Sequence, residues 1–279
     1  MKEAVVNSER SVERPAYFVF DVESVADGEL VARVRYPGET LAPETAVERY
    51  RAQLLEDQGS DFIPYTYQVP LAIVVAKVAE DFRLLDLVSL DEPHHRPHEL
   101  TRLFWAGWEA YRQPTFVTFN GRAFDLPLLE LAAFRFGIGV RNWFNVDAKS
   151  WDQKRNRYNL GSHLDLYDIL TNFGASRFSG GLDLAANLLG KPGKLEVKGH
   201  MVQDLYHQGR LQEISDYCRC DVLDTYFVFL RSRVLLGHLS LEREQELVDA
   251  TRDWLEARRE TCAAYGTYLA QWGDWVNPW

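Results

Sequence analysis

Asp21 and Glu23 are the first residues in this chain whose types and spacing could do chemistry. They close the apolar run Tyr17 to Phe20, which reads as a buried strand of aromatic and β-branched residues. Side chains alternate along a strand, so the two acids share a face. Two carboxylates held together beside apolar surface repel each other unless something neutralises them. A divalent cation with oxygen ligands is the simplest such partner. The alternative for this pair alone is a strand that runs out into an acidic loop.

Further acids recur in suitable settings. Asp125 follows the strand Thr115–Phe119 and the turn Asn120-Gly121, at the start of a helix over 126–136; by itself it reads equally as a helix cap. Tyr217 and Asp221 are four apart in a helix expected over 211–230, so they share one helical face. Ile214, Val222 and Phe229 form an apolar stripe beside them.

The elements that must position these residues follow an α/β order. Strands are expected at Tyr17–Phe20, Val69–Val78, Arg83–Leu90 and Thr115–Phe119, the second and third as a hairpin. Helices are expected over 43–55, 100–111, 126–136, 169–173, 182–189 and 211–230. One or two more should close the chain over 241–269. Thr40 or Thr45 is a possible cap for the first helix, and Asp165 or Asp168 for the fourth. Residues 1–16 read as a flexible N-terminal arm and 24–66 as an insertion with a helix of its own. His94, His95 and His98 lie in a Pro-containing stretch that reads as an exposed loop. It lacks the ligand set of a metal site.

The totals bound the function. The chain has 279 residues and a net charge of −10, so it is not a general nucleic-acid coat. A nucleic-acid enzyme remains open, because local cations and bound metal can reverse the field at one site. Cys218, Cys220 and Cys262 form no disulfide framework. No run approaches the ~20 apolar residues of a membrane span, and the first ten residues lack the apolar core of a signal peptide. A cytoplasmic protein with no membrane partner is expected.

Three motifs then stand in order: FDVE at 20–23, TFNGRAFDLP at 118–127 and YCRCD at 217–221. Together they resemble the DEDD superfamily of 3′–5′ exonucleases in its tyrosine subclass (DEDDy). More narrowly, they resemble the stand-alone predicted exonucleases related to the proofreading domain of B-family DNA polymerases. VTFNGRAFDLPLL and HLDLYDIL carry the narrower likeness. It runs from about Tyr17 to about Arg231, and residues 24–66 match least well.

The resemblance implies an α/β fold of ribonuclease-H-like type, a central mixed sheet flanked by helices. It places the exonuclease domain at 17–236, with a C-terminal helical extension at 237–279. It implies two Mg²⁺ or Mn²⁺ ions held by Asp21, Glu23, Asp125 and Asp221, with Tyr217 orienting the attacking water. It implies hydrolysis of single-stranded nucleic acid, DNA in preference to RNA, from the 3′ end to nucleoside 5′-monophosphates. Candidate contacts to the strand are Asn120, Phe124, Arg157, Tyr158, His163 and Lys194, chosen as aromatic, polar or basic neighbours of the motifs. The C-terminal helices and the Trp272, Trp275 and Trp279 tail offer a surface for a protein partner. Two rivals are an RNA-trimming exonuclease and an inactive ribonuclease-H-like binding module. Intact acids at every motif position argue against the second.

Overall fold

A computed structural model describes residues 13–193 and 201–279. Most of the arm over residues 1–16, together with Lys194 and Lys198, lies outside the described residues.

Among the described residues, five strands form one sheet in the order β3-β2-β1-β4-β5: β1 (Tyr17–Ala26), β2 (Gln68–Val78), β3 (Leu84–Ser89), β4 (Thr115–Thr118) and β5 (His163–Asp165). β2 runs antiparallel to both its neighbours, while β4 and β5 run parallel to β1. This is the central mixed sheet that the motifs implied. β1 is its central strand.

β1 is longer than its apolar run suggests. Asp21 pairs with Val74 and Glu23 with Ala72, and pairing continues to Ala26 and Gln68. The acids therefore sit inside the strand and not beyond its end. The register shifts between Glu23 and Ser24. Pro70 sits opposite Ser24 at this irregularity, a position where a residue without an N–H is tolerated.

Alternation along β1 divides the interior. Phe18, Phe20 and Val22 pack with Leu100, Phe104 and Trp108 of α3 (Pro97–Ala110) and with Leu128 and Leu129 of α4 (Asp125–Phe136). Val19 and Val25 pack on the other face with Cys218, Val222 and Phe229 of α9 (Leu211–Leu235). Asp21 and Glu23 share the α9 parity. α9 is buried over most of its length, which explains why so many of its residues are apolar.

The segment between β1 and β2 differs from its sequence reading. It holds two helices, α1 (Gly28–Arg35) and α2 (Pro43–Gln58). Asp27 caps α1 by accepting from the Leu30 N–H at 3.1 Å, so Asp27-Gly28 opens a helix. Ala42 precedes α2 with no side-chain cap, and Pro43 at the helix start takes the place of Thr40 or Thr45. Val31, Ala46, Val47, Tyr50, Leu54 and Ile63 give this segment a small core of its own.

Short helices α5 (Arg141–Phe144), α6 (Leu166–Thr171), α7 (Gly181–Asn187) and α8 (Val202–His207) join the longer elements. α6 begins three residues before the expected 169, because Asp165 caps it through the Tyr167 N–H at 3.0 Å. Two closing helices, α10 (Leu241–Glu256) and α11 (Ala263–Ala270), bring Leu247, Leu255 and Tyr268 onto the α9 core. Trp272 packs at 5.2 Å from the Phe227 ring, and Arg231 stacks over Trp275 at 4.2 Å; Trp279 is exposed. His95 is buried, whereas His94 and His98 are exposed as expected. No helix among the described residues is long and apolar enough to cross a membrane.

Candidate active site

β1 and α9 bring three acids together. One carboxylate oxygen from each of Asp21, Glu23 and Asp221 lies within 4.8 Å of the others. Among the described residues this is the one group of acidic, histidine or cysteine side chains close enough to share a metal ion. The cause is local: period two places Asp21 and Glu23 on the face that α9 covers. Asp221 follows Tyr217 by one helical turn on that helix. Asp221 is buried and Glu23 nearly so. Three carboxylates converging in this setting are hard oxygen donors, the set that suits Mg²⁺ or Mn²⁺.

Asp125 stands next to this group without joining it. It is the first residue of α4 and is buried. Burial pushes its carboxyl well above the usual range; the charges of Asp21 and then Asp165 push the same way. Hydrogen bonds from the backbone of Asp125 itself and of Val22 oppose that rise. Asp125 therefore feels Asp21 across the strand, and a cation placed between them would relieve both.

Tyr217 is buried, and its hydroxyl is pushed up by burial, then by the charges of Asp221 and Glu23. It is a neutral hydrogen-bonding group at physiological pH. Cys218 is a neighbour that the motif reading passed over. Its Sγ lies 3.4 Å from the backbone oxygen of Asp21, and burial raises its thiol well above the ordinary value. It is thus an inert packing residue at the base of the site.

The turn that delivers Asp125 is held by a polar network. Asp165 accepts the backbone N–H groups of Asn120 at 2.8 Å and Arg122 at 2.9 Å. Arg122 donates to Asp168 at 2.9 Å, and Arg157 reaches the same carboxylate at 3.1 Å. Asn120 adopts φ +66°, a left-handed conformation that asparagine tolerates better than most residues. Gly121 is required where it stands, because a Cβ there would meet the Thr118 side chain at 2.6 Å.

The proposed strand contacts fall in different places. Phe124 lies beside the acids, lining a cavity of about 210 Å³ that Glu23 also lines. Asn120 is exposed on the turn. Arg157 is engaged with Asp168, and Tyr158 packs 5.0 Å from the Phe173 ring; neither lines that cavity. His163 is fully buried, with Nε2 2.8 Å from Thr118 Oγ1, so it supports β4 from within and presents no face to a ligand. Phe62 and Gln68 also line the cavity, and the motifs gave no hint of either.

A family model described as a predicted 3′–5′ exonuclease related to the exonuclease domain of PolB matches residues 60–272. The match runs past Arg231 and takes in α10 and α11. It includes Asp125, Tyr217 and Asp221 and begins downstream of Asp21 and Glu23. No curated protein matches the chain. Among solved structures, the family B DNA polymerase from the hyperthermophilic archaeon Pyrobaculum calidifontis is similar over 78% of this chain and 24% of that chain, at 15% identity and a TM-score of 0.46. The chain thus spans about a quarter of that polymerase's length. Matched over well more than half of its residues, the chain belongs to the family of predicted 3′–5′ exonucleases related to the exonuclease domain of PolB.

Proposed function

We propose that the protein is a metal-dependent exonuclease that removes nucleotides from the 3′ end of single-stranded nucleic acid and releases nucleoside 5′-monophosphates. The observation that carries this reading is the meeting of Asp21, Glu23 and Asp221 within 4.8 Å, with Asp125 and Tyr217 alongside. The family's relation to a DNA polymerase exonuclease domain favours DNA over RNA as the strand.

Asp21, Glu23 and Asp221 would hold one divalent ion, and Asp125 would hold a second together with Asp21. Mg²⁺ or Mn²⁺ bound there supplies a water-derived nucleophile at neutral pH and stabilises charge on the leaving oxygen. The acids by themselves repel a phosphodiester, so strand binding at this site depends on their neutralisation. Tyr217 offers a protonated hydroxyl that hydrogen-bonds and orients the attacking water. Burial of Asp125 and Asp221 limits bulk water and strengthens electrostatic contacts.

The test is degradation of 5′-labelled DNA and RNA oligonucleotides, with Mg²⁺, with Mn²⁺ and with chelator, by wild type and Asp21→Ala. Metal-dependent shortening from the 3′ end by wild type alone is expected, faster on DNA. Equal persistence of both strands with both proteins would sink the reading.

A further inference from the structure

A second cavity, of about 300 Å³, opens between α9, α10, the loop that follows α7 and the chain near Asp274. Its size is at the lower limit of sites that enclose a small organic ligand, ~300–1,000 Å³. One wall is a strap of chain laid against Gly190. The Gly273 N–H donates to the Gly190 carbonyl at 2.9 Å, and a Cβ on Gly190 would meet the Asp274 backbone at 2.8 Å. The cavity lies well away from the acids of β1. Arg231, which lines it, is ten residues beyond Asp221 on α9, or ~15 Å along the helix.

Three cations face this space, Lys191, Arg231 and Arg252. Lys191 is the deepest, at 4% exposure. Its ammonium donates to the neutral Gly273 carbonyl at 3.0 Å and sits 3.9 Å from the Trp272 ring centre. An ammonium has three donors, and a buried one without an anion is costly to keep charged. The lowering of its pKa to about 8 by burial agrees with that. The carboxylates of the lining are committed elsewhere or solvated. Glu244 accepts Arg231 Nε at 2.7 and 2.9 Å. Asp274 accepts the Trp272 indole N–H at 3.2 Å, with Arg252 3.9 Å away. Asp249 and Asp274 are both exposed. The hydrogen-bonding capacity left unspent inside is therefore chiefly that of donors. Leu189, Phe227 and Val248 add an apolar wall.

We propose that this cavity binds a small phosphate-bearing anion, its oxygens taken by Lys191 and Arg252. A phosphate group brings the several acceptor oxygens and the negative charge that Lys191 lacks. The apolar wall favours a nucleoside 5′-monophosphate over inorganic phosphate, because a nucleoside ring can cover it. The assignment stands apart from the exonuclease reading, since binding here needs neither divalent metal nor turnover.

The experiment is calorimetric titration of the full chain at pH 7 in chelator, with adenosine 5′-monophosphate, inorganic phosphate or adenosine. Wild type should bind the nucleotide, with phosphate about tenfold weaker and adenosine weaker still. Lys191→Met and Arg252→Gln should each weaken nucleotide binding by about tenfold or more, since each removes a charge-assisted hydrogen bond. Asp21→Ala should bind as wild type does, which separates this cavity from the acids of β1. Arg252 is half-exposed, so its replacement does not threaten the core; unchanged thermal melting checks this. Equal affinity for phosphate and nucleotide would support the anion site and assign it to inorganic phosphate. Wild type that binds neither, adenosine bound as tightly as the nucleotide, wild-type affinity in either cavity variant, or loss of binding in Asp21→Ala would each overturn the proposal while leaving the exonuclease reading intact.

Discussion

Asp165 Oδ1 accepts the backbone N–H of Asn120 at 2.8 Å, joining the end of β5 to the turn that follows β4. The same carboxylate holds Arg122 and caps α6, so one side chain fixes the approach to Asp125 from two directions. Asp165→Ala strands three N–H groups and should destabilise the fold by about 2–4 kcal/mol. Asp165→Asn keeps the shape but turns a donor toward backbone donors. It should stay folded and lose more than about tenfold in exonuclease rate, with a raised Mg²⁺ requirement because Asp125 is displaced. Full activity at the wild-type metal concentration in Asp165→Asn would refute this role.

Tyr217 bears on the reaction through its hydroxyl. Tyr217→Phe keeps the buried ring and removes the group that would orient water. A fall in kcat of about tenfold to a hundredfold is expected, with KM little changed and thermal stability within about 1 kcal/mol of wild type. Steady-state kinetics on a single-stranded oligonucleotide would show it. A variant as fast as wild type removes Tyr217 from the mechanism.

A second pair ties the C-terminal helices to α9. The Tyr268 hydroxyl donates to Asp224 Oδ1 at 2.6 Å in a fully buried setting. Burial pushes the Asp224 carboxyl well above its usual value, and the tyrosine partly offsets that rise. Tyr268→Phe should cost about 1–3 kcal/mol by leaving a buried polar atom without that bond. Urea unfolding at neutral pH measures it, and an unchanged midpoint would show that Asp224 is satisfied by other means.

Lys191 gives a pH signature. Its Nζ donates to the Gly273 carbonyl at 3.0 Å and sits 3.9 Å from the Trp272 ring centre, almost wholly buried. Burial brings its pKa down to about 8 from 10.5. Between these values the unfolded chain binds the extra proton, so stability rises with pH in that window. The gain is absent below about 8 and complete above about 10.5. The slope should approach ~1.4 kcal/mol per pH unit in wild type and vanish from this source in Lys191→Met. Urea midpoints for both proteins at pH 7, 8.5 and 9.5 decide the matter; parallel curves would contradict the buried cation.

Much of the site could be read from the chain because its determinants are periodic. Two acids one residue apart on a strand, and an acid one turn after a tyrosine on a helix, declare their faces without any tertiary information. What escaped the sequence depends on partners far along the chain. β1 runs on to Ala26 because Gln68 pairs there, and no local feature announces a partner 42 residues away. α1 was hidden because Asp27-Gly28 reads equally as a turn and as a helix start. His163 looks like a surface residue until β5 places it against Thr118. Phe62 meets Phe124 across a segment whose path the sequence leaves open.

The placement of Asp21 and Glu23 on the central strand has a consequence for how the protein loses activity. β1 pairs with β2 from Tyr17 to Ala26 and with β4 over Tyr17–Val19, and α9 covers the face that carries the acids. Amides of β1 held in the ladder with β2 should exchange with solvent only when the sheet opens, whereas strand edges and loops open locally. The two acids therefore share the lifetime of the fold itself. Deuterium uptake at the β2-paired amides of Phe20–Glu23 should track global unfolding, and heat inactivation should coincide with it. The two acids of β1 should be among the last parts of the molecule to be lost.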